Sequence, residues 1–185
     1  MKIIDLTREN TDTLQQAAAL LVEGFAEHWP NSWPSMDSAL EEVRDALNND
    51  CICRIAVDDH REVLGWIGGT PTYEGNVWEL HPLVVRPSDQ GKGIGRALVN
   101  DLEELVRERG GLTIWLGSDD EDGMTSLAHT DLYPNPLEHL ANIRNIKGLP
   151  YGFYEKMGFV LSGVLPDANG PGKPDIFLVK RVQHR

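Results

Sequence analysis

Apolar and polar positions along this 185-residue chain switch between two spacings, and the switches divide it into elements. Residues 2–6, Lys-Ile-Ile-Asp-Leu, read as a first strand. Leu14, Ala17, Ala18, Leu21, Val22 and Phe25 then recur at the period of one helix face, up to Trp29-Pro30. Leu40, Val43 and Leu47 mark a second helix, with Ser38-x-x-Glu41 as a capping box near its start. Two β-rich runs, 51–57 and 62–69, flank Asp58-Asp59-His60-Arg61 and predict a hairpin. Residues 77–85 form the next strand. Ile94, Leu98, Leu102, Leu105 and Val106 draw one stripe along a helix that Gly110-Gly111 ends. Leu112–Leu116 is a strand. Residues 123–147 are mixed, with Pro134 and Pro136 interrupting any long helix. Tyr151–Met157 is a short helix. Gly158–Leu165 and Ile176–Lys180 are the last strands, joined by the Pro/Gly/Asn-rich stretch Pro166–Pro174. The order β-α-α-β-β-β-α-β-α-β-β, without repeat or linker, predicts one α/β domain over 1–185.

Composition narrows the class. The length suits a single domain with a sizeable core. Apolar residues are 41% and the mean hydropathy is −0.33, ordinary values for a soluble protein. No run approaches the roughly 18 apolar residues of a membrane span, and MKIIDLTREN lacks a signal-peptide apolar region. A cytoplasmic protein is expected. Cys51 and Cys53 stand two apart in a strand and share a face, so they build neither a disulfide framework nor a zinc site. Both read as small core residues. Seventeen basic and 29 acidic side chains leave a net charge of −12. Such a surface repels nucleic acid and anionic membranes and attracts polycations, although solubility alone also accounts for it.

The chemistry concentrates in Trp78–Leu98, WELHPLVVRPSDQGKGIGRAL. An apolar strand ends in a polar turn, and a glycine-rich helix start follows. Gly91, Gly93 and Gly95 let backbone approach an anion, and a helix N-terminus points N–H groups at it. A Walker loop is absent, and Arg96 stands where a dinucleotide fingerprint needs a small residue. The pattern Gln90-x-x-Gly93-x-Gly95 after a strand resembles the acetyl-CoA signature of the GNAT N-acetyltransferases.

Further strings narrow the resemblance. Trp78-Glu79-Leu80-His81-Pro82-Leu83-Val84-Val85, Leu116-Gly117-Ser118-Asp119-Asp120, Thr130-Asp131-Leu132-Tyr133, Phe153–Phe159 and Gly163–Gly170 are similar to the aminoglycoside 6′-N-acetyltransferases of Gram-positive bacteria. The likeness runs from about Ile3 to Lys180 and is loosest at Trp29–Met36 and 71–77, where such enzymes touch the acceptor. It implies the GNAT fold, a mixed, mostly antiparallel sheet splayed between strands 4 and 5 and flanked by helices. It also implies acetyl-CoA as co-substrate, an aminoglycoside or other polycationic amine as acceptor, and a homodimer. No nucleic acid, membrane or metal is expected.

Residue by residue, the resemblance implies that Gln90, Gly91, Lys92, Gly93, Ile94, Gly95 and Arg96 cradle the pyrophosphate. The N–H of Leu83 would polarise the thioester carbonyl, and Val84 and Val85 would pair with the pantetheine amides. Pro82 cannot donate to a ladder, so it predicts a bulge or an unpaired edge beside Leu83. Glu79, a carboxylate in an apolar strand, is the candidate base, since a protonated amine cannot attack. Tyr154 is the candidate acid for the departing thiolate, or a group that orients the thioester. His81 shares a nominal face with Glu79 and positions the acceptor, carries a water, or is structural. Asp119 and Asp120 follow a central strand, where a polycation would need carboxylates. His28, His60, His129, His139 and His184 show no metal spacing, and no Gly-x-Ser-x-Gly elbow exists. Acetylation of another polyamine or a protein amine, and a non-catalytic acyl-CoA sensor, are the alternative readings.

Overall fold

The computed structural model describes residues 1–48 and 50–182, so His184 lies outside the described residues. Strands β1 (Lys2–Asp5), β2 (Ile52–Val57), β3 (Val63–Thr72), β4 (Val77–Val85), β5 (Thr113–Asp119), β6 (Val160–Leu165) and β7 (Asp175–Arg181) form a mixed sheet in the order β1-β2-β3-β4-β5-β7-β6. The helices are α1 (Thr11–Phe25), α2 (Met36–Asp45), α3 (Ile94–Glu108), α4 (Pro136–Ala141) and α5 (Tyr151–Lys156). By its contacts the chain divides into two compact units, one built on Met1–Ile114 and the other on Trp115–Arg181.

In the first unit β1 to β4 form an antiparallel meander. Alternation sends Cys53, Ile55, Val57 and Trp66 to one face, where they meet Leu14, Ala17, Ala18 and Leu21 of α1 and Ala39 and Val43 of α2. Gly65 and Gly69 lie on the other face. A Cβ at Gly65 would stand 3.1 Å from Leu98, and one at Gly69 2.6 Å from Leu102, so the missing side chains let α3 pack close. Asn10 caps α1 by accepting from the Thr13 N–H at 3.2 Å. The capping box of α2 pairs Ser35 with Ser38, one turn earlier than Ser38-x-x-Glu41, because the helix already starts at Met36. Cys53 is buried and accepts from the Trp66 indole N–H at 3.0 Å, while Cys51 is half-buried.

In the second unit β6 and β7 pair antiparallel with a bulge between Leu161 and Gly163. Trp115 of β5 meets Phe177 of β7 edge to face, 5.9 Å between centroids. Pro136 starts α4 rather than interrupting a helix, as suits a residue with no N–H to lose in the first turn. Among the described residues, no helix is long and apolar enough to cross a membrane.

Candidate active site

Strand β4 carries the bulge that Pro82 predicts. Register runs Gly69↔Leu80 and then Ile67↔Leu83, so His81 and Pro82 together oppose Gly68. The His81–Pro82 peptide is cis. Before the bulge, Trp78 packs toward α3, since its ring lies 3.7 Å from a Cβ placed on Gly69. After it, Val84 packs against α1, where its Cγ2 lies 2.5 Å from a Cβ placed on Gly24. Two residues in one place thus reverse which residues face the α1/α2 layer. Leu83, Val84 and Val85 are paired to Ile67, Trp66 and Gly65 on the β3 side.

Ordinary alternation before the bulge sets Glu79 and His81 on the α1/α2 face together, opposite Trp78, and the reversal adds Val84 to that face. Glu79 is half-buried opposite Thr70. The His81 imidazole sits 5.9 Å from the Trp33 ring, at 40° to it. Its Nε2 lies 3.9 Å from a carboxylate oxygen of Glu42, on α2. Trp33 in turn meets Phe25 at 4.6 Å, and Phe25 meets Trp29 at 5.6 Å. An apolar wall thereby backs the imidazole and, beside it, the Glu42 carboxylate. Sequence reasoning did not single out Glu42, Trp29 or Trp33. The four-residue spacing Phe25, Trp29, Trp33 carries a signal for the aromatic wall, whereas nothing local marks Glu42.

At the far end of β4 the glycine run opens α3. Gly91 and Gly93 have φ of 75° and 87°, a region that favours glycine, and nothing lies within 4 Å of a Cβ on either. Gly93 is the N-cap of α3, and no side chain caps the helix, so its first N–H groups face open space. Ile94 turns into the core and Arg96 outward. Gln90 reaches back to the Val85 carbonyl at 3.3 Å. The Lys92 ammonium lies 2.8 Å from Asp89, and this contact above all holds that carboxyl below its usual range. This backbone nest, with no side chain in front, fits a phosphate group.

In the second unit Asp120 is fully buried. One oxygen accepts from Met124 N–H at 2.6 Å, and the other from the N–H and hydroxyl of Thr125, both at 2.7 Å. Its carboxylate fastens the loop after β5. Asp119 accepts from the Asn169 side chain. Tyr154 is buried, with Phe153 and Phe159 edge-on at 5.1 and 5.5 Å. Burial pushes its phenol well above the ordinary value and keeps it neutral. Among the described residues, no three His, Cys, Asp or Glu side chains gather as metal ligands would.

The acetyltransferase (GNAT) family matches residues 16–128, more than half the chain. The matched span includes the nest glycines Gly91 and Gly93. The chain belongs to the GNAT acetyltransferase family. Solved GNAT structures agree over its full length. An aminoglycoside 6′-N-acetyltransferase complexed with coenzyme A is 43% identical, with a TM-score of 0.90, covering 100% of this chain and 99% of that one. The aminoglycoside 6′-N-acetyltransferase from Enterococcus faecium is 43% identical at a TM-score of 0.87, with the same coverage. An aminoglycoside 6′-acetyltransferase type Ii is 37% identical at 0.75, again covering 100% and 99%. A comparison with curated protein sequences finds no match. As a GNAT acetyltransferase the chain takes its acetyl group from acetyl-CoA, for whose phosphates the uncapped start of α3 is suited.

Proposed function

We propose that this GNAT acetyltransferase moves the acetyl group of acetyl-CoA to the 6′-amine of aminoglycosides and so confers resistance to them. The observation that carries the reading is the α1/α2 face of β4. Glu79 and His81 stand on it with Glu42 opposite and Trp33 behind, a surface suited to an ammonium-bearing sugar. Full-length likeness to aminoglycoside 6′-N-acetyltransferases supports the same acceptor.

In this proposal Glu79 takes a proton from the acceptor ammonium, directly or through a water. The freed nitrogen lone pair attacks the thioester carbonyl carbon and a C–N bond forms; the C–S bond then breaks, and the second proton of the attached nitrogen passes to the departing sulfur, leaving a neutral amide and the free thiol of coenzyme A. The Leu83 N–H stabilises the carbonyl oxygen as charge builds there, a contribution of about 3 kcal/mol for one such donor. Val84 and Val85 hold the pantetheine amides. Tyr154 hydrogen bonds the departing sulfur, and its raised pKa suits an orienting group better than a proton donor. Asp119 offers a carboxylate to the acceptor. Attack is direct, in a ternary complex, without a covalent relay. The protein works in the cytoplasm as one acetyltransferase domain and as a homodimer.

Mass spectrometry of kanamycin incubated with protein and acetyl-CoA, with the modified nitrogen located by NMR, tests the reading. Acetylation at the 6′-amine is expected. Folded protein that binds acetyl-CoA and leaves kanamycin unmodified overturns it.

A further inference from the structure

Glu42 reaches β4 from a different element. It belongs to α2, is 30% exposed, and directs a carboxylate oxygen to within 3.9 Å of His81 Nε2. The His81 side chain is 53% exposed, and one flank of its imidazole faces an aromatic ring. Trp33 lies against its ring and is itself packed on Phe25 and the core. The His81 backbone is pinned by the bulge opposite Gly68, where a Cβ would stand 2.3 Å from the His81 carbonyl oxygen. Carboxylate, imidazole and indole form one stack of contacts between α2, the α1–α2 connection and β4.

We propose that Glu42 is a positioning residue for acetyl transfer, acting through His81 to fix which imidazole nitrogen faces the acceptor. The inference rests on the acceptor meeting the α1/α2 face of β4. The state of one imidazole nitrogen is set by the partner of the other. A carboxylate only accepts, so Glu42 favours the tautomer that carries the proton on Nε2, ready to donate when the pair closes. Nδ1 then keeps its lone pair and accepts from the amine, or from a water bound to it. At 3.9 Å the two groups stand just beyond hydrogen-bond range, and such contacts tighten in a loaded site. Proton removal stays with Glu79 and orientation of the nucleophile falls to His81. Glu42 comes to this face from α2 and Glu79 from β4 itself.

A double-mutant cycle tests the coupling, with acetyl-CoA-saturated protein and Glu42→Ala, His81→Ala and the pair together. Glu42→Ala is expected to lower kcat/KM for kanamycin about fivefold, in keeping with a partly exposed pair. It should cost nothing further once His81 is gone. Glu42→Gln should retain most activity, because its amide oxygen still accepts from Nε2–H. Nitrogen-15 NMR should find the Nε2–H tautomer in the wild type and a mixture in Glu42→Ala. Equal losses from Glu42→Ala in both backgrounds, or a wild type dominated by the Nδ1–H tautomer, overturn the proposal. Spermidine and a lysine peptide run beside kanamycin. Turnover of those amines alone sinks the antibiotic reading, while the NMR result still judges Glu42.

Discussion

Gly68 and His81 share a space that admits no side chain: a Cβ at 68 would lie 2.3 Å from the His81 carbonyl oxygen and 3.1 Å from its carbonyl carbon. The atoms met are backbone, so relief requires the bulge itself to move. Gly68→Ala is therefore expected to cost about 1–3 kcal/mol, the range of overpacked interiors. It should also lower kcat/KM, because His81 and Leu83 hang on that bulge. Thermal melts and steady-state kinetics check both. Wild-type values in each would mean that β4 carries its residues without the bulge.

Glu79→Gln should leave the fold and acetyl-CoA affinity intact and slow turnover about a hundredfold at neutral pH, within the usual worth of a general base. The deficit should shrink as pH rises and the acceptor amine loses its proton unaided. A kcat profile from pH 6 to 9, with calorimetry for cofactor binding, measures this. A pH-independent deficit would assign Glu79 to binding rather than proton transfer.

Burial pushes the Cys53 thiol up to about 12, against a small opposing effect of the Trp66 hydrogen bond. The folded state thus favours the neutral thiol. Stability from this group is whole below the unfolded thiol value of about 8.5 and falls above it by up to 1.4 kcal/mol per pH unit, as the unfolded chain ionises first. Cys53→Ala should flatten that alkaline limb in denaturant melts run from pH 8 to 10. An aromatic disulfide reagent at pH 8 should find Cys51 quickly and Cys53 only on unfolding. Two equally fast thiols would show that the core around Trp66 is open.

Asp120→Ala strands three donors, the two N–H groups of Met124 and Thr125 and the Thr125 hydroxyl. A loss of about 3 kcal/mol is expected, the cost of unpaired buried groups. Asp120→Asn, which keeps one acceptor oxygen, should lose less. Neither should raise KM for kanamycin in the protein that remains folded. A selective rise in KM with unchanged melting would return Asp120 to the acceptor.

The order of elements was readable from apolar spacing, because each stripe buries locally against its neighbour. The α3 stripe Ile94, Leu98, Leu102 and Val106 is buried along its length. The capping box slipped by one turn, since Ser35 and Ser38 both stand where a cap is possible and spacing does not rank them. Pro82 announced a bulge, but not that the bulge would turn Val84 toward Gly24 while Trp78 faces α3. That reversal depends on a partner strand with a glycine at 68. The part Asp120 plays in its loop was hidden for a related reason. Within an acidic run it looks like its neighbours, and only the fold of 120–125 onto its carboxylate separates it from them. Glu42 was invisible, because a helix carboxylate acquires meaning only from the strand across from it.

Helix α3 begins on a glycine that brings no side chain to its exposed N–H groups. Phosphates of acetyl-CoA seated there would pair with those groups, so binding of the co-substrate is expected to stabilise the fold. Saturation at a hundred times the dissociation constant adds about 2.7 kcal/mol to the folded state. Where degradation follows the population of opened molecules, that difference lengthens survival. Acetyl-CoA is therefore expected to slow proteolysis of the enzyme as well as to feed its reaction.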